Sequence, residues 1–157
     1  GWDKATQDGV FTGDFEDINK GLTTAQAFID QGADVILPVA GQVGEGAARA
    51  ALDSGTASII WVDSDGYDTL SPDFRPVLLT SVLKNTGSAV VEIVKTSIDD
   101  TFDNAPFIGT LENGGVGIAP FHDLAPRVSA ELSAEIDQLR SDIVAGTIVV
   151  TSPSTPR

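Results

Sequence analysis

The sharpest chemical feature of this sequence is a pair of carboxylates, Asp63 and Asp65, placed after the apolar run ASIIWV (57–62) and before Gly66. Carboxylates at that spacing can hold a cation, attack an electrophile, or accept hydrogen bonds from neighbouring hydroxyls. A calcium loop is excluded, because glycine stands at the fourth position instead of the sixth and Phe74 occupies the place of the bidentate glutamate. A second group is the glycine-rich turn Gly41-Gln42-Val43-Gly44-Glu45-Gly46, after the apolar run 35–40. Its order reverses the dinucleotide fingerprint, and Ala47-Ala48 stands where a P-loop needs Lys-Ser/Thr, so it reads as a tight strand-to-helix turn or a turn approaching a neutral polar ligand. Thr80, Ser81 and Lys84 follow the third apolar run, and Phe15 lies in a Gly-rich polar segment where a ring either packs under the loop or stacks on a flat ligand. His122-Asp123 is the one histidine site; without GxSxG it reads as a hydrogen-bonded or surface residue, and no catalytic triad is assigned.

Composition narrows the chemistry further. The 157 residues carry nine Lys+Arg against 23 Asp+Glu, a net charge of −14, with no Cys, no Met and one His. Affinity for a polyanion comes from cationic side chains that release counterions, so nucleic acid is excluded as a partner and an anionic membrane surface is disfavoured. Thiolate metal sites and His-rich metal sites are excluded as well, and neither a metal nor a cofactor is expected. One alternative survives: IIWVDSDGYDTL resembles the DxDG motif of haloacid-dehalogenase-type, Mg²⁺-dependent phosphatases. Asp63 would then attack phosphorus, Asp65 would shuttle the proton, and Thr80 or Ser81 with Lys84 would complete the set. Against it, the hydroxyl follows after one short loop and Asp99-Asp100 falls at a helix end, so a Mg²⁺ cage lacks its third side.

These groups need elements to position them. Leu22, Ala25, Phe28 and Ile29 recur at helical spacing over about 19–31, with Asp17 or Asn19 as cap and Gly32 as terminator. Residues 34–40, 57–62 and 77–80 are continuous, mainly apolar runs, as strands buried on both faces are. A short Ala-rich helix is expected over 45–54 and another over 85–98 that buries Val90, Val91, Val94 and Ile98. Further on come strand candidates at 107–111 and 115–119 around the turn 112–114, then a helix capped by Ser129 with Leu132, Ile136, Leu139 and Ile143 on one stripe. A closing strand at 147–151 and a polar tail complete the chain. Alternating helices and apolar strands predict an α/β fold with a mostly parallel sheet, whose ligands bind beyond the carboxyl ends of the strands. The glycine turn, the carboxylates and the hydroxyls with Lys84 all follow such ends.

Taken in order, TGDFEDINKG (12–21), QGADVILPVAGQVGEG (31–46), VDSD (62–65), LLTSVLK (78–84), GTLENGGVGIAP (109–120) and AGTIVV (145–150) resemble the basic membrane protein (BMP) family. These are purine-nucleoside-receptor-like substrate-binding lipoproteins of ABC transporters. The resemblance implies a three-layer parallel-sheet lobe of a type 1 periplasmic-binding fold, with the first lobe largely upstream of Gly1. About 1–80 and 120–151 would form the second lobe, and 82–120 would cross toward the absent one. It implies that Phe15 stacks on a purine base, Gly41 offers backbone to the ribose, Asp63 or Asp65 takes ribose hydroxyls and Lys84 donates to them. It also implies a non-enzymatic, extracytoplasmic, membrane-anchored protein whose lobes close on a nucleoside and whose partner is an ABC permease. The chain departs from the family at Gly66 and in the longer loop 66–76. A ligand-sensing domain of a cytosolic protein on the same fold is the third reading, and self-association through exposed lobe surface is expected.

Overall fold

The structure is a computed structural model and describes residues 2, 3, 5, 6 and 8–152. The chain forms two compact units, Gly1–Val82 with Ala119–Ala125, and Leu83–Ile118 with Pro126–Arg157.

The first unit begins with a short antiparallel ribbon, β1 (Trp2–Asp3) and β2 (Asp8–Gly9). Helix α1 (Ile18–Asp30) follows; of the two possible caps it uses Asp17, whose carboxylate accepts from the Asn19 amide and satisfies an otherwise orphaned N–H. Strand β3 (Val35–Ile36) pairs in parallel with β4 (Ser58–Asp63), Val35 opposite Ser58. Between them runs α2 (Val43–Ser54), ended by Gly55 in the left-handed conformation that needs no Cβ. The unit continues through α3 (Gly66–Thr69), a 3-10 turn over Pro72–Val77 and β5 (Leu78–Lys84), which lies beside β4 and runs on into the second unit.

The core is built on the small residues of α2. Ala47, Ala48, Ala50 and Ala51 are buried against Ala25 of α1 and against Ile59, Trp61, Val77 and Leu78 of the sheet edge and strands. Small side chains let α1 and α2 approach closely: a Cβ on Gly21 would strike the Val43 carbonyl, and one on Gly46 would strike the Ile18 carbonyl. Alternation along β4 turns Ile59 and Trp61 into this core and leaves Ile60 and Val62 half-buried on the other face.

The second unit holds α4 (Thr86–Ile98), β6 (Val116–Ile118) and α5 (Ala130–Val144), with Ser129 capping α5 through the Leu132 amide as its sequence foretold. The LENG turn is organised by Asn113, whose Oδ1 accepts from the amides of Thr110 (2.8 Å) and Gly115 (2.9 Å) and whose Nδ2 donates to the Ile108 carbonyl.

Four expectations fail here. The 34–40 strand shrinks to Val35–Ile36, because the chain beyond turns toward Gly41, and Pro38 supplies no ladder donor. Residues 107–111 and 147–151 form no strand: the Thr110 carbonyl accepts a single backbone bond, from the Val116 amide at 3.3 Å, and the Ile148 amide turns back to the Asp142 carbonyl at 3.1 Å, so neither segment builds a ladder. The apolar stripe of α4 is not buried: Val90 is 60% exposed, Val91 54%, Val94 50% and Ile98 75%. Periodicity reports that a face wants a partner, and among the described residues none covers this one. No helix among them is long and apolar enough to cross a membrane.

Candidate functional site

In the first unit the loop after β2, the turn after β3 and the turn after β4 form the candidate site. Phe15 stands on the first. The residue is 73% exposed, yet its backbone is held. Asp14 Oδ1 accepts from the amides of Glu16 (2.7 Å) and Asp17 (2.8 Å), and Asp14 Oδ2 accepts from Lys20 Nζ at 3.1 Å. Those amides, then the lysine, lower the Asp14 pKa from its ordinary 3.8 to about 2. The exposed residue therefore rides on a braced loop. The signal was present in the sequence as an Asx motif, Asp14 three residues before Asp17, but it reads as an ordinary acidic loop until its donors are seen.

Gly41 meets this loop. It adopts φ +58°, and a Cβ there would lie 3.2 Å from the Phe15 carbonyl oxygen, so glycine serves both the turn and the close approach. The following amides are used inside the protein: Val43 N donates to the Phe15 carbonyl at 3.3 Å, Gly44 N to Gly41 and Glu45 N to Gln42. Gly44 and Gly46 serve packing, against the Trp61 ring and against α1 respectively. Beside Phe15 opens an apolar cavity of about 480 Å³, lined among others by Phe11, Phe15, Phe28, Leu37 and Val39.

Trp61 joins the second turn to the third. Gly44 abuts the outer edge of the indole, its Cβ position 2.8 Å from Cζ3, while Gly66 abuts the inner edge, 2.8 Å from Cγ. Beyond it Asp63 is exposed and takes φ +68°, a left-handed conformation that costs a non-glycine residue on the order of 1 kcal/mol or more. The Ser64 amide closes the turn onto the Val62 carbonyl at 2.9 Å.

Asp65 is placed differently from Asp63. Its Oδ1 accepts from the Tyr67 amide (3.1 Å) and from Ser81 Oγ (3.3 Å), and its Oδ2 accepts from His122 Nε2 at 2.7 Å. Ser81, 1% exposed, accepts in turn from the Gly66 amide at 3.0 Å. Asp65 thus caps α3 and ties β4 to β5 and to residues 119–125. A serine and a histidine both aimed at one carboxylate, not at each other, do not make a nucleophile–base pair. With both oxygens engaged, Asp65 also lacks the free carboxyl that a phosphatase would need for proton shuttling. No cluster of three acidic or histidine side chains that could hold a metal occurs among the described residues.

Sequence reasoning missed the stack behind Asp65. The Tyr67 and His122 rings lie 4.1 Å apart at 13°, and the Arg75 guanidinium sits 4.3 Å over Tyr67. Tyr67 Oη donates to both oxygens of Asp123 at 3.1 Å. Partial burial, then the Asp123 carboxylate, raise the Tyr67 pKa above its ordinary 10.0. Only the FHD triplet hinted at this, and nothing local in it points to residue 65. Of the expected site residues, the structure brings Phe15 and Gly41 together and puts Asp63 and Asp65 on one turn. Lys84, exposed at the end of β5, belongs to the second unit.

Comparison with known proteins places these features. Residues 8–154 match the family model described as Bmp, ABC transporter substrate-binding protein PnrA-like. Over 146 residues the chain is 32% identical to basic membrane protein A of Borreliella burgdorferi, covering 90% of this chain and 41% of that protein. It is 31% identical to basic membrane protein A1 of Borrelia garinii subsp. bavariensis, so it spans about two-fifths of the length of these relatives. Among solved structures, an ABC transporter solute-binding protein of Aeropyrum pernix superposes with TM-score 0.75 at 22% identity, covering 93% of this chain and 48% of that one. A transcriptional activator of comK from Bacillus halodurans superposes at 0.72 and 19% identity, covering 88% and 46%, and shares the fold. An α/β fold with a parallel strand pair, and a match running through nearly the whole chain, lead to one assignment: the chain belongs to the Bmp family of PnrA-like ABC transporter substrate-binding proteins.

Proposed function

We propose that this chain is the C-terminal, ligand-contacting portion of an extracytoplasmic receptor that binds a nucleoside, with a purine base preferred, for an ABC permease. The observation that carries the reading is the presence in one unit of an exposed aromatic residue on a braced loop, Phe15, and an exposed aspartate at a strand end, Asp63. A ring of this kind stacks on a flat base, and a carboxylate accepts two adjacent ribose hydroxyls through charge-assisted bonds. Gly41 would present backbone near the sugar. Asp65 serves the turn and Asp63 the ligand. Lys84 is the hydroxyl donor that the family resemblance suggests. Uptake works by lobe closure: the ligand shifts a hinge equilibrium that the permease reads, and a lipid anchor keeps the receptor at the membrane. The family's role is substrate capture, and no step of bond making or breaking is assigned to these residues.

The test is calorimetric titration of the full-length receptor with adenosine, guanosine, inosine, uridine and ribose. Purine nucleosides are expected to bind and uridine and ribose to bind less well. Binding is expected to be lost in Asp63→Ala and Phe15→Ala, and weakened in Lys84→Ala. Hydrolysis of a phosphate ester that disappears in Asp63→Asn overturns the reading in favour of a Mg²⁺-dependent phosphatase. Residues 1–157 alone are expected to bind weakly, because pockets of this class bury about 70–90% of the ligand. Equal affinity in the short and full-length proteins refutes the two-lobe arrangement.

A further inference from the structure

We propose that His122 is a positioning residue for ligand binding: through Asp65 it holds the left-handed turn that presents the Asp63 carboxylate. The proposal rests on the receptor reading above.

Two non-glycine residues of the first unit, Asp63 at φ +68° and His122 at φ +41°, sit in the left-handed region, and Asp65 links them. Such conformations persist only where surrounding contacts over-determine them. Asp65 supplies those contacts on the Asp63 side. Its carboxylate anchors the segment two residues downstream of Asp63 through the Tyr67 amide and Ser81, and the bond from His122 at 2.7 Å is the shortest of the three. On the other side His122 is itself fixed. Its ring stacks on Tyr67, whose hydroxyl donates to the adjacent Asp123. Its segment is fastened to β5, with the Ala119 amide donating to the Ser81 carbonyl at 2.9 Å and Thr80 Oγ1 donating to the Ala119 carbonyl at 2.6 Å.

The imidazole is thus located by contacts that do not involve the ligand, and it uses one N–H on a carboxylate that is itself only 19% exposed. Removing that donor leaves a largely desolvated carboxylate with one partner fewer. The turn then relaxes, and Asp63 leaves its strained conformation. His122 never touches the ligand in this scheme; its effect passes entirely through Asp63.

The test is a double-mutant cycle in the full-length receptor, titrated with inosine, adenosine and guanosine. His122→Phe keeps a ring on Tyr67 but has no N–H to give. Asp65→Asn keeps Oδ1 as acceptor and removes the acceptor facing His122, so either variant serves if the other fails to fold. Each is expected to weaken binding about tenfold or more, the size of one lost charge-assisted bond. His122→Gln, which retains an N–H donor, is expected to recover most of that loss. In an Asp63→Asn background, where one remaining acceptor oxygen keeps binding measurable but the charge-assisted bonds are gone, the same substitutions are expected to cost little further, which a general loss of stability would not produce. Unchanged affinity in His122→Phe, or an equal loss with and without Asp63, overturns the proposal. Failure of the unmodified receptor to bind any of the three nucleosides removes the nucleoside reading itself, and is distinguishable because it precedes any substitution.

Discussion

Gly46→Ala separates a packing glycine from a ligand-facing one. A Cβ at Gly46 would press on the Ile18 carbonyl of α1 and lie 3.0 Å from the Gly21 carbonyl carbon. Both are backbone atoms, so no rotamer change relieves the contact and α1 must move as a body. Overpacking costs about 1–3 kcal/mol, and with two backbone atoms closer than 3.0 Å and α1 also pinned where Gly21 meets the Val43 carbonyl, the cost falls at the upper end, about 2–3 kcal/mol. Replacing glycine inside a helix returns about 1 kcal/mol in propensity. The net expectation is a destabilisation of about 1–2 kcal/mol, which for a chain of this size lowers Tm by roughly 2–8 °C. The control is Gly87→Ala in the first turn of α4, where nothing lies within 4 Å of the added carbon. There the propensity term acts alone and stability is expected to rise by up to about 1 kcal/mol. Thermal and denaturant unfolding followed by circular dichroism reads both. A Gly46→Ala protein as stable as the parent refutes the close-packed crossing. If it kept its stability but lost nucleoside binding, the turn would be a ligand loop.

Other outcomes follow from the same structure. Because the Asp14 pKa is lowered to about 2 from 3.8, its bracing of the Phe15 loop is fully present above pH 3.8 and is lost as pH falls through about 2. Asp14→Asn is expected to abolish that acid-side transition in amide NMR shifts of Glu16 and Asp17, and an unchanged transition refutes the assignment. Ile59 of β4, fully buried in the core with the alanines of α2, is expected to cost about 2–5 kcal/mol as Ile59→Ala by denaturant melting. A cost below 1 kcal/mol would show a looser core. The exposed stripe Val90, Val91, Val94 and Ile98 is expected to drive concentration-dependent association of residues 1–157 in light scattering, reduced by Val91→Lys with Val94→Lys. A monomer at all concentrations refutes this.

Elements whose cause is local were legible without coordinates. Asp17 and Ser129 as caps, Gly55 and Gly146 past helix ends, and the apolar run at 57–62 all act within a turn or a strand. The strand readings at 107–111 and 147–151 failed because a strand exists only against a partner edge, which no window of sequence contains. The same holds for α4, whose apolar period is unmistakable and whose face is nonetheless uncovered.

At the candidate site the division is sharper. Residue type and order determined that a glycine turn and a carboxylate pair would follow strand ends, and the order of the motifs carried the family. Tertiary structure alone decided which partners reach Asp65. Asp63 and Asp65 are chemically identical and two residues apart, but Ser81 and His122 arrive from 16 and 57 residues away to occupy Asp65. Hydrogen bonds form between groups that the fold brings within about 3 Å, whatever their separation along the chain, so which aspartate holds the turn and which faces outward is a property of the folded molecule.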